Sequence, residues 1–302
     1  MGIRSTDRSS KGFGTNKLLD GHLLSFFRTL RSGGGSNKTI DPLVSINTFT
    51  SPGTLSIPAG TVRVRITAHG VSNPIGPVPS QGIGGYSQGT FTTLAGNTLN
   101  VNFGGAGEWA EYVGRGSNYA GVFNGPVAHA NSLIIAGGAG GFGFANWGYG
   151  VIGSGGGTTG GNGSPGIPGN SGSWPNDGPS ATGSSGSGGT QSAGGNGGAA
   201  GALPMDPYYT PYPGNPGSAL QGGPAQWKPG SGNLISQAAA GGGGYYGGGA
   251  GGTGSFSPGS HYGQGGWGGG GSGYIHPTAT STTSTTGGAT SPGTVIIEYY
   301  YF

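Results

Sequence analysis

The chain has 302 residues, of which 78 are glycine and 21 proline, while charged residues make up only 6% and cysteine is absent. That composition excludes an ordinary globular enzyme fold as the starting expectation, and it excludes disulfides and thiolate metal sites altogether. It is also unlike a disordered chain: aromatics reach 10%, with 14 tyrosines, whereas chains that stay unfolded in water are charged and aromatic-poor. The formal charge of +3 is unevenly placed, because residues 1–38 carry seven Lys/Arg against Asp7 and Asp20 and the remainder is slightly acidic.

Residues 1–14 read as an extended polar arm. Residues 16–31 then place Leu18, Leu19, Leu23, Phe26, Phe27 and Leu30 at helical spacing, with Arg28 and Arg31 towards the C-terminal end, and Gly33-Gly34-Gly35 stops the pattern. Three readings stay open for this basic, amphipathic helix: packing on its own domain, lying on a membrane surface, or docking onto another protein. Docking is favoured, because a glycine hinge separates it from the body and no second amphipathic helix exists for it to meet. The first residues lack the apolar run of a secretory signal, and no stretch approaches the ~18 apolar residues of a membrane span. Residues 1–38 are therefore expected to form a docking unit, and residues 39–302 a single glycine-rich β domain.

From residue 46 the period changes to two. Leu55 and Ile57, the turn Pro58-Ala59-Gly60, and Val62, Val64 and Ile66 alternating with Arg63, Arg65 and Thr67 predict a hairpin with one apolar face. A second unit follows, with a strand over 89–94, the turn Ala95-Gly96-Asn97, and Leu99, Val101 and Phe103 alternating with polar residues. Further strands are expected at 132–136 and 294–302. The last, TVIIEYYYF, is apolar and β-prone, a hazard on an open edge. It is expected to return and pair with the early strands, giving an antiparallel sandwich or jelly roll.

The excursion between these strands, 137–273, is the glycine-richest part. Gly163, Gly166, Gly169 and Gly172 keep a three-residue spacing, as do Gly214 and Gly217. Three is the polyproline II period, and such a helix has no internal hydrogen bonds, so burying it requires neighbours that accept its N–H and C=O groups. The expectation is a bundle of polyglycine-II-like helices; the alternative is a set of flexible Gly/Ser linkers.

Catalytic chemistry finds little footing. Glu108 and Glu111 are the sole close carboxylate pair, and His69, His129, His261 and His276 show no metal-ligand spacing. No Gly-Lys-Ser/Thr phosphate loop occurs, and nucleic-acid binding is not expected, since the body is acidic and lacks Arg-Gly-Gly repeats. No catalytic residue, cofactor or metal is assigned. Aromatics are the better lead: Trp174, Tyr208, Tyr209, Tyr212 and Trp227 stand in Pro-, Gly- and Ser-rich surroundings suited to exposed loops, where ring faces can stack on a sugar or a protein surface. Tyr245, Tyr246 and Trp267, flanked by glycine, are read as wedges between glycine segments.

The segments FTSPGTLSIPAGTVRVRITAHG (49–70), GGYSQGTFTTLAGNTLNVNFGGAG (84–107), SLIIAGGAGG (132–141), AAAGGGGYYGGGAGG (238–252) and GGATSPGTVIIEY (287–299) occur in an order that resembles the glycine-rich domain of bacteriophage tail-fibre and other virion proteins. The chain is similar, more distantly, to the polyglycine domain of T-even tail-fibre adhesins. The resemblance covers residues 46–302 and departs from the family at Val71–Ser80, where a glycine-rich loop is usual. It implies a β-sandwich carrying glycine helices, a virion location and, in some members, host recognition. On that footing the expectation is a non-enzymatic fibre or adhesin, docked to other virion proteins through residues 1–38, homo-oligomeric, and presenting loops to a host-surface glycan or protein. The alternative is a purely structural capsid-decoration or tail component.

Overall fold

The computed structural model describes residues 43–73, 82–108, 114–143, 150–166, 182–201, 211–229, 235–254, 262–289 and 292–301. The basic arm and the helix expected over 16–31, with Leu18, Leu19, Leu23, Phe26, Phe27, Arg28, Leu30 and Arg31, lie outside them.

The described chain is mainly β. Its strands are β1 (Leu43–Phe49), β2 (Gly53–Ser56), β3 (Arg63–His69), β4 (Tyr86–Phe91), β5 (Thr98–Gly104), β6 (Tyr119–Asn124), β7 (Ser132–Ala136), β8 (Gln226–Pro229), β9 (Ile235–Ala238), β10 (Tyr262–Gln264), β11 (Tyr274–Ile275), β12 (Thr280–Thr285) and β13 (Thr294–Tyr300). Two antiparallel five-stranded sheets result, ordered β1-β13-β3-β4-β12 and β11-β7-β6-β5-β2, with a separate small sheet β10-β9-β8.

The two large sheets face each other in a sandwich-like pair over one apolar core. Val64, Ile66 and Ala68 of β3, Phe91 of β4, and Val295 and Ile297 of β13 meet Leu99 and Val101 of β5, Ala120 and Val122 of β6, and Ile134 and Ala136 of β7. Alternation along β3 explains its orientation: the apolar residues are buried and Arg63, Arg65, Thr67 and His69 stand on the outer face. There Arg65 forms a two-pronged pair with Glu298 on β13, its Nη2 donating to Oε1 at 2.7 Å, and Arg63 stacks over the Tyr300 ring at 4.3 Å.

Both expected hairpins are corrected. β2 pairs with β5 in one sheet while β3 pairs with β4 and β13 in the other, and β4 and β5 are likewise divided between the sheets. The turns at 58–62 and 92–97 therefore cross the core instead of folding a strand back beside its neighbour. Ile57 and Leu94 in these crossings are buried in the same core, which is why each unit looked like a one-faced hairpin: the apolar faces do meet, but across the sandwich. The closing strand behaves as its composition demands, since β13 lies between β1 and β3 and is antiparallel to both.

Beyond the strands the chain runs into a glycine layer held by backbone hydrogen bonds. Gly247, Ala250 and Thr253 donate to Ser218, Asn215 and Tyr212; Gly248 and Gly251 donate to Gly242 and Ala239; Gly249 and Gly252 donate to Ser187 and Ser184, all at 2.8–2.9 Å. Each residue and the third after it thus face the same neighbouring segment. The run 266–273 repeats the rule: Gly266, Gly269 and Ser272 bond to Gly252, Gly249 and Tyr246, Trp267, Gly270 and Gly273 to Ser164, Gly161 and Gly157, and Gly268 and Gly271 to Gly141 and Gly138. Flexible linkers would leave these groups to water.

Space, not backbone angle, selects glycine here. Among the described glycines of 137–273, only Gly156 and Gly157 have positive φ. A Cβ on Gly241, Gly251, Gly268 or Gly269 would instead stand inside the van der Waals shell of a facing carbonyl, of Gly248, Gly266, Ala240 and Ser187 respectively. Replacing Gly269 or Gly251 by Ala is expected to lower stability by about 1–3 kcal/mol or more through overpacking, whereas in a flexible linker the same change would be neutral or stabilising. Denaturant melts of the single variants decide by the sign alone.

Candidate functional site

The strands feed directly into the glycine layer, which gives the molecule two unlike ends. β3, β5 and β7 continue outward into residues 70–73, 105–108 and 137–143, and β4, β6 and β11 are entered from 82–85, 114–118 and 265–273. Hydrogen bonds order these runs by distance from the sheets. Near the sheets, Gly138 bonds to Gly243 and Gly271 to Gly138; further out Gly141 bonds to Ala240 and Gly266 to Gly252; furthest out Gly166 bonds to Gly183, Gly201 to Thr253, and Thr253 to Tyr212. The small sheet extends the same end, with Trp227 opposite Gln237 and Ile235 beside Tyr262.

The residues that flank the stretches 109–113, 144–149, 167–181, 202–210, 230–234 and 255–261 therefore all sit towards the end of the glycine layer remote from the sheets. The sequence of these stretches includes Trp109, Trp147, Trp174, Tyr112, Tyr149, Tyr208 and Tyr209, with Glu111, Asp177 and Asp206 as their charged residues. Of the five expected binding aromatics, Trp174, Tyr208 and Tyr209 lie outside the described residues. Trp227 is placed on β8 at this end. Tyr212 is exposed, at 38%, and its backbone is clamped by the buried Thr253: its N–H donates to Thr253 Oγ1 at 2.6 Å, and its carbonyl accepts the Thr253 N–H at 2.9 Å. An exposed ring on a fixed backbone loses little freedom when it meets a ligand.

A second aromatic group sits at the side of the molecule. His129, in a short 3-10 turn before β7, stacks on Tyr245 with centroids 3.9 Å apart, and Tyr245 stacks on Tyr274 of β11 at 3.9 Å and 9°; Tyr246 stands edge-on to His129 at 4.8 Å. Tyr119, Phe123 and Ile135 lie beneath, on the outer face of the second sheet, with Leu220 against them. Burial pushes the Tyr245 and Tyr274 hydroxyls up in pKa and the His129 imidazole down, the latter partly offset by the Tyr245 backbone. With Tyr245 stacked on both faces, by His129 and by Tyr274, this column fastens the glycine layer to the sheet. Trp267, expected as a wedge, is fully buried and edge-on to Phe142 at 5.5 Å, while Tyr245 and Tyr246 are half-buried.

Among the described residues no group of three or more His, Asp or Glu side chains could hold a metal ion, and no helix is long and apolar enough to cross a membrane. No family model matches the chain, and no curated protein matches it.

Sequence reasoning missed the His129–Tyr245–Tyr274 column, since its members are far apart in the chain and no local pattern links them. His69 is a second imidazole whose pKa burial lowers, with its ring edge-on to Tyr86 at 5.1 Å. Both histidines bind a proton more readily unfolded than folded, so their contribution is complete above the ordinary value of 6.5 and is lost as pH falls from there through the lowered folded values. Melting temperature is expected to drop on acidification through that window, and His69→Gln together with His129→Gln to flatten the dependence.

Proposed function

We propose that this chain is a non-enzymatic bacteriophage virion protein, a fibre or adhesin component that is held to the particle by residues 1–38 and presents the far end of its glycine layer to the host surface. The observation that carries the reading is the separation of the two ends. Leu43, where the described chain begins, pairs with Tyr300 at the end of the first sheet opposite the glycine layer, while the stretches rich in Trp and Tyr are flanked by residues at the other end. An anchor at one end and binding loops at the other is the arrangement an attachment protein needs.

Two further points support it. The order of sequence motifs resembles virion glycine-rich domains across the body of the chain. Exposed large apolar side chains among the described residues are scattered singly, at Ile46, Ile83, Val127, Val151 and Tyr212, so the described surface offers no broad apolar patch to receive the helix expected over 16–31. That favours docking on other virion proteins. In the same reading the three-residue hydrogen-bond register belongs to polyglycine-II-like helices, a rigid stalk that carries the loops, and the partner at its tip is a host glycan or protein met by aromatic faces.

Two measurements test this. Excess purified full-length protein, added to host cells before infection, is expected to reduce adsorption of the phage several-fold, and a protein with Tyr208, Tyr209 and Tyr212 changed to Ala to lose that effect while melting normally. Particles assembled with a chain lacking residues 1–38 are expected to lack the protein. Unchanged adsorption with a folded competitor would leave a decoration or tail role in place of an adhesin.

A further inference from the structure

The edge of the first sheet formed by β1 is unlike the other three large-sheet edges. β11 has two residues and β2 four; β12 breaks its register between Thr280 and Thr283 and holds Ser281 at φ 49°. Short strands and local irregularities of this kind keep an edge from pairing further. β1 has seven residues, LVSINTF, with no charge, proline or glycine; its register shifts once, between Leu43 and Ser45 at its first residues, and is unbroken from Ser45 to Phe49. Among the described residues it pairs on one side only, with β13. Ile46, at its centre, is 56% exposed. Such a strand invites a partner.

We propose that β1 pairs antiparallel with β1 of a second copy about a two-fold axis at Ile46, joining the two five-stranded sheets into one. The strand reads the same in character from either end about that residue. In this register Ile46 meets Ile46 and Ser45 meets Asn47, so at the centre of the seam apolar opposes apolar and polar opposes polar, and no like charges are brought together. The sequence just ahead of β1, SGGGSNKTIDP over 32–42, combines a glycine run with Lys38, Asp41 and Pro42, a composition poorly suited to a strand. In the pair the glycine layers point in opposite directions, and both docking arms start beside the junction. The assembly has a central attachment point and two outward ends. It rests on the strand edge and not on the phage reading, so either can fail alone.

The absence of cysteine makes the test direct. Full-length protein is expected to sediment as a dimer, and Ile46→Lys, a change at an exposed position, to halve the mass while leaving the melting curve in place. Mixing Ile46→Lys with Ile46→Glu is expected to restore the dimer, because each residue faces its own symmetry mate. Cβ atoms of directly opposed strand residues lie about 4.5–5.5 Å apart, near disulfide reach, so Ile46→Cys is expected to form a linked dimer on mild oxidation at least ten times faster than Val127→Cys, at a position 46% exposed. A monomeric full-length chain, a dimer that survives Ile46→Lys, or equal linking by the two cysteine variants would overturn the proposal.

Discussion

Everything in this molecule depends on backbone approaching backbone. In the glycine layer the N–H of one segment reaches the carbonyl of another at ordinary hydrogen-bond distance in three directions in turn, and a single Cβ at most of these positions would push the carbonyl away. A buried peptide group left without a partner costs more than a made bond contributes, so the layer is stable only if nearly every group is paired. Glycine is entropically costly to order, by about 0.5–1 kcal/mol relative to alanine. Each hydrogen bond contributes a similar amount, about 0.5–1.5 kcal/mol net. The layer is thus close to balanced by itself and needs a template.

The two large sheets are that template. Their core is small, built mostly of Val and Ile with Leu, Ala and Phe91 between the two faces, and it sets the spacing at which the strands hand their chains to the glycine layer. The outer face of the second sheet adds a clamp, where the stacked rings of His129, Tyr245 and Tyr274 close over Tyr119, Phe123 and Ile135. Glycine layer and sheets are therefore joined by backbone hydrogen bonds, and Trp267 is fully buried within the glycine segments.

That separation links structure to the proposed role. Titratable groups are few in the sequence, and several of the described ones serve the fold: Glu298 pairs with Arg65, His69 packs on Tyr86, and His129 lies in the aromatic column. In the proposed reading the stretches flanked by the far end supply aromatic residues and little charge, and residues 1–38 supply a net basic arm with an amphipathic helical pattern. Recognition by ring faces and attachment by an amphipathic segment are different chemistries, and the proposal assigns them to opposite ends of the body.

Periodicity in the sequence was enough to locate the main strands: the alternation over 63–67 and 99–103, the run SLIIA at 132–136 and the closing TVIIEYY all became strands, and the three-residue glycine spacing pointed to segments that bond outward. These features were legible because side-chain alternation and the missing Cβ are local properties. Partner choice was not. The two presumed hairpins are crossings between sheets, and β8, β9, β10 and β12 carried no apolar alternation to announce them. Likewise Tyr212 was legible as an exposed aromatic in a proline-rich stretch, but its clamping by Thr253 came only from the fold. An apolar stripe states that a face must be covered and leaves open what covers it; in this protein the tertiary structure decides that by bringing together backbones whose hydrogen bonds no local pattern in the chain can assign.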